Sequence, residues 1–372
     1  MDEKNKKNIL VLNYEFPPLG GGASPVSYEI SKGYVEKGHK VDVVTMSYKN
    51  LTKFETKEGM DIYRVPCIRT KKEICHPWEQ LTYVLSAKRF LKKHLKKNNY
   101  NVVHAHFVVP TGIIAKWIKK KYNIPYIITS HGSDIPGYNP DRFKFLHKFT
   151  KTLIKKILNE SKGAYSGSNY LANLGNKINS KTKYKAIKEG FNAEKFKPQK
   201  KEKTILATGR LLKRKGFQHL IQAVSKKDTG YEVHIAGDGP MLKELKSLAS
   251  KSKTKIVFHG WVDNDSKKYK NLLEKSSIYV LASEKENASI SLLEAMSAGC
   301  AVITTNTTGC SETIENSGLV FSPRDHKELK EKINYLANNK REIKKYGKKS
   351  RERLLKEYNW NKTIKQYEEA LE

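Results

Sequence analysis

The sequence predicts an α/β protein of two similar halves, each a parallel sheet wound with helices, with a ligand cleft between them. Three observations lead there. Short apolar runs alternate with longer amphipathic stretches along the whole chain, the pattern of repeated βαβ units. The 372 residues suffice for two domains with a sizeable core each. The alternation breaks once, at the basic stretch Lys195–Lys203, which holds almost nothing apolar and reads as a linker, and then restarts.

In the first half the apolar runs predict strands at Asn8–Asn13, Val41–Thr45, Ile62–Val65, Asn101–Ala105, Tyr126–Thr129 and Gly163–Ser166. Helical spacing predicts Pro25–Lys37, with Pro in its first turn and Gly38 at its end, then Leu81–Lys97, Gly112–Lys121 and Arg142–Leu158. In the second half strands are expected at Thr204–Ala207, Glu232–Ala236, Ile256–His259, Ser277–Leu281 and Ala301–Thr304. The helix Phe217–Lys226 follows the first of them. The tail Tyr358–Leu371 reads as an amphipathic helix that crosses back to the first domain. The expected domains are 1–194 and 204–356, with 357–372 as that returning helix.

Composition excludes several classes. With 38% hydrophobic and 29% charged residues the chain is globular. No window approaches the roughly 18 apolar residues that span a bilayer. The opening MDEKNKKNILVL has a four-residue apolar run, too short for a secretory signal core, so a cytoplasmic protein is expected. Its four cysteines form no CxxC pair and read as reduced thiols. The 71 basic residues against 38 acidic ones leave a charge of +33, which predicts attraction to polyanions. Nucleic acid is excluded as the partner. There is no recognition helix or zinc module, and lysine outnumbers arginine 61 to 10, against base-edge readout.

Four segments can carry chemistry. Gly20, Gly21 and Gly22 lie between the first strand and the first helix, where backbone N–H groups can meet an anion. Gly209-Arg210-Leu-Leu-Lys213-Arg214-Lys215-Gly216 places four cations between a strand and a helix, suited to a diphosphate. Gly237-Asp238-Gly239-Pro240 is a glycine turn at the same sheet edge. In Ser283–Thr308, Glu286 stands in the loop after a strand, and Glu294 about two turns into the next helix. The carboxylates can accept from sugar hydroxyls. Asp263-Asn-Asp265 reads as turn and cap chemistry rather than a metal site. His104 and His106 share a strand face without a third ligand nearby, and read as a packed strand end.

Together these motifs resemble the retaining nucleotide-sugar glycosyltransferases of family 4, or group 1, with the GT-B fold of two Rossmann-like domains facing a central cleft. The resemblance is carried by Gly209-Arg210…Lys215-Gly216, Gly237-Asp238-Gly239-Pro240 and Glu286-x7-Glu294-Ala-Met-Ser-Ala-Gly299, then by Gly20–Gly22, Gly38-His39, Val103-His104-Ala-His106 and His131-Gly132-Ser-Asp134. Phe258-His-Gly260-Trp-Val262 and Asn359-Trp360 fit it too.

The resemblance implies a donor bound mainly by the C-terminal domain and an acceptor by the N-terminal one. Arg210 and Lys215 would neutralise the leaving diphosphate, Glu286 would hold sugar hydroxyls, and Glu294 the ribose. His131 would lie near the transferred sugar. Gly21, Gly22, Gly209, Gly237, Gly239, Asn287, Ala288, Ser289 and Ile290 would complete the donor site, with no metal and no cofactor. A UDP or GDP sugar is the expected donor, and a lipid-linked or glycan acceptor the other substrate. A GT-B epimerase is the alternative; the Glu286–Glu294 pattern argues against it. The departure Asn287-Ala-Ser, where the family often has Gly-Phe-Gly, changes the surroundings of the donor sugar.

Arg142–Leu158 combines Phe145, Leu146, Phe149, Leu153 and Ile157 at helical spacing with Lys144, Lys148, Lys151, Lys155 and Lys156. It reads as a basic amphipathic helix for an anionic membrane surface, with Leu85–Lys97 as a second candidate. The expected location is therefore peripheral, on the inner face of the cell membrane.

Overall fold

The structure, a computed structural model, describes residues 6–138, 140–178, 181–307 and 309–372, with the side chains of 140–149 outside that description. The chain divides into two compact units. One is Met1–Gly190 with Trp360–Glu372, and the other is Phe191–Asn359.

The first unit contains β1 (Asn8–Leu12), α1 (Ala23–Glu36), β2 (Lys40–Met46), β3 (Phe54–Lys57), β4 (Met60–Val65), α2 (Pro77–His94), β5 (Val102–His106), α3 (Thr111–Tyr122), β6 (Tyr126–Ser130), α4 (Pro140–Glu160), β7 (Gly163–Ser166), α5 (Asn169–Asn176) and β8 (Tyr184–Ala186). The sheet order is β3-β4-β2-β1-β5-β6-β7-β8. Only the β3–β4 pair is antiparallel among its ladders. The apolar runs of β1, β5 and β6 are buried on both faces, as helices on each side of a parallel sheet require. The chain moves outward from β1 to β2 and β4, then resumes at β5 on the other side of β1. That reversal opens a ligand crevice at the carboxyl ends of the two strands.

The second unit contains β9 (Glu202–Thr208), α6 (Phe217–Ser225), β10 (Glu232–Ala236), α7 (Leu242–Ala249), β11 (Ile256–Gly260), α8 (Lys267–Lys275), β12 (Ser276–Leu281), α9 (Ile290–Ser297), β13 (Ala301–Thr305), α10 (Gly309–Ile314), β14 (Leu319–Phe321), α11 (His326–Ala337) and α12 (Lys340–Glu357). Its parallel sheet runs β11-β10-β9-β12-β13-β14, so the reversal falls between β9 and β12. The last helix, α13 (Trp360–Leu371), packs in the first unit. Its Ile364 lies so close to α1 that a Cβ on Gly33 would come 2.4 Å from Ile364 Cδ1.

Four differences from the sequence reading have physical causes. The stretch Lys195–Lys203 is not a detached linker. Phe196 is buried in the second core, and the Lys197 N–H donates to Glu274 Oε1 at 2.7 Å. The unit boundaries fall at Gly190/Phe191 and Asn359/Trp360. Helix α2 starts at Pro77 rather than Leu81, because the Glu79 carboxylate accepts from the His76 N–H at 2.7 Å and closes its first turn. The short strands β3, β8 and β14 carry no apolar run long enough to read.

Candidate functional site

In the second unit the carboxyl ends of β9, β10 and β12 bring three loops to one sheet edge. The glycines are where backbone meets backbone. Gly237 has φ +152°, and a Cβ there would fall 1.9 Å from the Gly209 carbonyl oxygen. Gly239 has φ +156°, with Leu211 O 2.7 Å from the same hypothetical atom. Only glycine fits either position without displacing the neighbouring loop. The loops are tied by Gly209 N–H to Ala236 O at 3.0 Å and Leu211 N–H to Asp238 O at 2.8 Å.

Beyond Leu211, Lys213–Lys215 form a 3-10 turn, and Gly216 closes against Ala282 O. The Glu284 N–H donates to Arg214 O at 2.9 Å, so the loop after β12 lies along the loop after β9. Here Lys215 Nζ forms an ion pair with Glu286 Oε1. Both side chains are largely buried, at 19% and 12% exposure. The sequence reading assigned these residues separate partners, a diphosphate and sugar hydroxyls; in this structure they hold each other. Arg210 is exposed, and among the described residues no ion pair engages it.

Asn287, Ala288 and Ser289 lead into α9, whose first residue is Ile290. Asn287 and Ser289 are buried. The backbone N–H groups at the start of α9 face the same edge, with the positive end of the helix dipole. Glu294 is the fifth residue of α9, one turn in rather than two. It is 3% exposed, and its Oε2 accepts from Tyr269 OH at 2.6 Å. Burial raises its carboxyl to about 7, opposed by the Tyr269 hydrogen bond. Asp263 and Asp265 serve a turn: Asp263 Oδ1 accepts from the Asp265 N–H, and Asp265 pairs with Lys195 at 2.9 Å.

In the first unit Gly20–Gly22 precede α1, with Gly21 and Gly22 exposed. His131 follows β6. Its ring meets His106, Nε2 to Nδ1 at 3.1 Å, and His106 in turn stacks on His104 with centroids 4.3 Å apart. Asp134 fixes this corner, accepting from the N–H groups of His131, Gly132 and Val108. His104 closes the row, with Tyr34 OH at its Nδ1 and Thr129 Oγ1 at its Nε2. Burial drives His104 and His131 down to about 3, and His106 well below its ordinary value. All three rings are neutral at pH 7. Among the described residues no group of three His, Cys, Asp or Glu side chains could hold a metal.

Residues 20–195 match the family described as Glycosyltransferase Family 4, and residues 189–353 match Glycosyl transferases group 1. The chain belongs to this glycosyltransferase family.

An uncharacterised glycosyltransferase of Methanocaldococcus jannaschii is 28% identical over 349 residues, 85% of each chain. The N-acetyl-alpha-D-glucosaminyl L-malate synthase of Bacillus anthracis is 24% identical and covers 94% of this chain and 93% of its own. Among solved structures, Anabaena HepE in complex with UDP superposes with a TM-score of 0.78 at 16% identity, covering 98% of this chain and 99% of that one. The glycosyltransferase fold is GT-B, two Rossmann-like α/β domains. Sequence reasoning named Asp134 only within the His131-Gly132-Ser-Asp134 motif, without its support of the corner, and missed Tyr269. Asp134 had a signal, its spacing three residues after His131. Tyr269 had none, since it reaches Glu294 from a separate helix.

Proposed function

We propose that this glycosyltransferase moves a sugar from a nucleoside-diphosphate donor to a lipid-linked or glycan acceptor, with retention of anomeric configuration and without a bound metal. The observation that carries the reading is the junction of the β9, β10 and β12 loops. It sets Arg210, Lys215 and the amino end of α9 around one sheet edge of the second unit.

Sugar transfer builds positive charge on the sugar ring and negative charge on the leaving diphosphate. Arg210 supplies a guanidinium fork to the diphosphate, and Lys215 a second cation that needs no large movement. The N–H groups of Asn287–Ile290 add fixed dipoles. Glu286, steadied by Lys215, accepts from hydroxyls of the donor sugar. Glu294 accepts from the ribose, and Gly209, Gly237 and Gly239 let the backbone approach the nucleotide. The first unit takes the acceptor. His131, neutral at working pH, orients a hydroxyl near the transferred sugar, and the exposed N–H groups at Gly21 and Gly22 are available to an anion. The UDP in the HepE complex supports a uridine donor. A lipid-linked acceptor would hold the enzyme at the cytoplasmic face of a membrane.

The test is nucleoside-diphosphate release from UDP-glucose, UDP-N-acetylglucosamine and GDP-mannose, with chelator and a membrane lipid extract. The reading expects turnover with one donor, unchanged by chelator, and a product with the donor's anomeric configuration by NMR. Release abolished by chelator, or an inverted product, overturns the corresponding part.

A further inference from the structure

Helix α2 carries an exposed apolar line that its fold does not use. Trp78, Leu81 and Leu85 are 50%, 61% and 72% exposed. Their spacing of three and four residues stacks them on one face of the helix. The opposite face, with Tyr83, Val84, Ala87 and Leu91, is buried against the sheet. Ile68, 55% exposed, joins the patch, because its N–H donates to Thr82 Oγ1 at 3.1 Å and holds it beside α2. Among the described residues eight large hydrophobic side chains are exposed, and four of them form this one patch. Scattered exposed leucines are ordinary on a protein surface, whereas a clustered line is a contact surface.

The same helical line continues into charge. Arg89 and Lys92 extend it, flanked by Lys93 and, in the turn that follows, Lys96 and Lys97, all exposed. Among the described residues none of these five forms an ion pair with a carboxylate. The acidic residue of α2, Glu79, is buried and turned inward to Thr70 and His76. The face therefore presents a tryptophan, three aliphatic side chains and an unneutralised basic end on a convex helix.

We propose that this face of α2 is the membrane-docking surface of the protein, with Trp78, Leu81, Leu85 and Ile68 inserted at the headgroup boundary of an anionic bilayer and Arg89, Lys92, Lys93, Lys96 and Lys97 on its phosphates. A protein partner would need carboxylates to match the basic end and a groove to take the convex apolar line. An anionic lipid surface supplies both phosphate and an apolar boundary in one layer. The proposal deepens the peripheral-membrane reading above. It departs from the first expectation, that α4 makes the contact, and extends the second, Leu85–Lys97, by the apolar line in front of it.

The test uses the full chain without donor or acceptor, so its failure leaves the transferase reading standing. Flotation is measured with phosphatidylglycerol–phosphatidylcholine vesicles and with phosphatidylcholine alone. The wild type should bind the anionic vesicles and lose them as salt rises. The triple variant Trp78→Ser, Leu81→Ser, Leu85→Ser should lower that affinity about tenfold or more, the scale of withdrawing leucine-sized side chains from an apolar phase. These side chains are exposed, and an unchanged thermal transition checks that the variant folds. Lys92→Gln with Lys96→Gln should lower binding at low salt and make it depend less steeply on salt, whereas Lys151→Gln with Lys155→Gln on α4 should leave binding unchanged. Triple-variant binding equal to wild type, or a loss confined to the α4 variant, overturns the proposal. So does a dimer in sedimentation velocity that the triple variant dissociates while wild type ignores vesicles.

Discussion

Replacing Glu294 with Gln should change how stability depends on pH, and the structure sets the size. The carboxyl is buried against Tyr269, and burial raises it from 4.5 to about 7. Between those two values the folded protein holds a proton that the unfolded chain releases. Stability therefore falls as pH rises through this window, by about 3 kcal/mol in all. Glu294→Gln keeps an acceptor for the Tyr269 hydroxyl and removes the titration. The wild-type stability measured against the variant should thus drop between pH 4.5 and 7.5 and stay level outside it. For a domain of this size that is roughly 6–12 °C of relative shift in the transition, at 2–4 °C per kcal/mol. Scanning calorimetry of both proteins at pH 4.5, 5.5, 6.5, 7.5 and 8.5 reads it directly. Other titrating groups are common to the pair and cancel. Parallel curves across the range would refute the reasoning, because Glu294 would then titrate alike in the folded and unfolded chains.

Lys215→Met should lower turnover by about 100-fold or more, the scale of removing one preorganised charge from a transition state; a wild-type initial rate would detach Lys215 from the chemistry. Gly237→Ala should lower the melting temperature, since its Cβ would fall 1.9 Å from a backbone carbonyl at φ +152°, at a cost of at least about 1–3 kcal/mol. Gly21→Ala, whose Cβ meets nothing within 4 Å, should leave it in place; equal melting temperatures for the two would contradict the packing account. The neutral histidine row should make the first unit acid-sensitive. His104 falls to about 3 in the fold, so stability should be lost as pH drops below 6.5, by about 1.4 kcal/mol per pH unit for one such ring. His104→Gln should show a shallower loss in urea titrations at pH 7, 6 and 5, and an unchanged slope would sink the idea.

Much of the fold was legible because parallel strands buried on both faces are plain apolar runs. Glu232–Ala236 and Gly163–Ser166 were read with the bounds observed. Strand β3, Phe-Glu-Thr-Lys at an edge, has no such run, and its pairing comes from β4 rather than from its own composition. The loops with Arg210, Lys215, Glu286 and Glu294 were visible as motifs. Their mutual geometry was not. Lys215 and Glu286 are 71 residues apart and meet only because β9 and β12 pair in the sheet. Glycines 237 and 239 were readable as a turn, but the neighbour that demands them, the loop after β9, is set by tertiary packing. The segment Leu85–Lys97 was read as the second membrane candidate. That Trp78 and Leu81 line up with Leu85 on an exposed face was not, because exposure is decided by which face the sheet covers.

The central claim is that the second unit binds a nucleoside diphosphate through Arg210 and Lys215 without a metal. Isothermal titration with UDP, GDP and ADP in the presence of chelator tests it most directly, comparing wild type with Arg210→Met and Lys215→Met. The account predicts saturable binding of one nucleotide by the wild type, weakened about tenfold or more in each variant, as the loss of a charge-assisted contact would do. No binding of any nucleotide, or equal affinity in all three proteins, would contradict it.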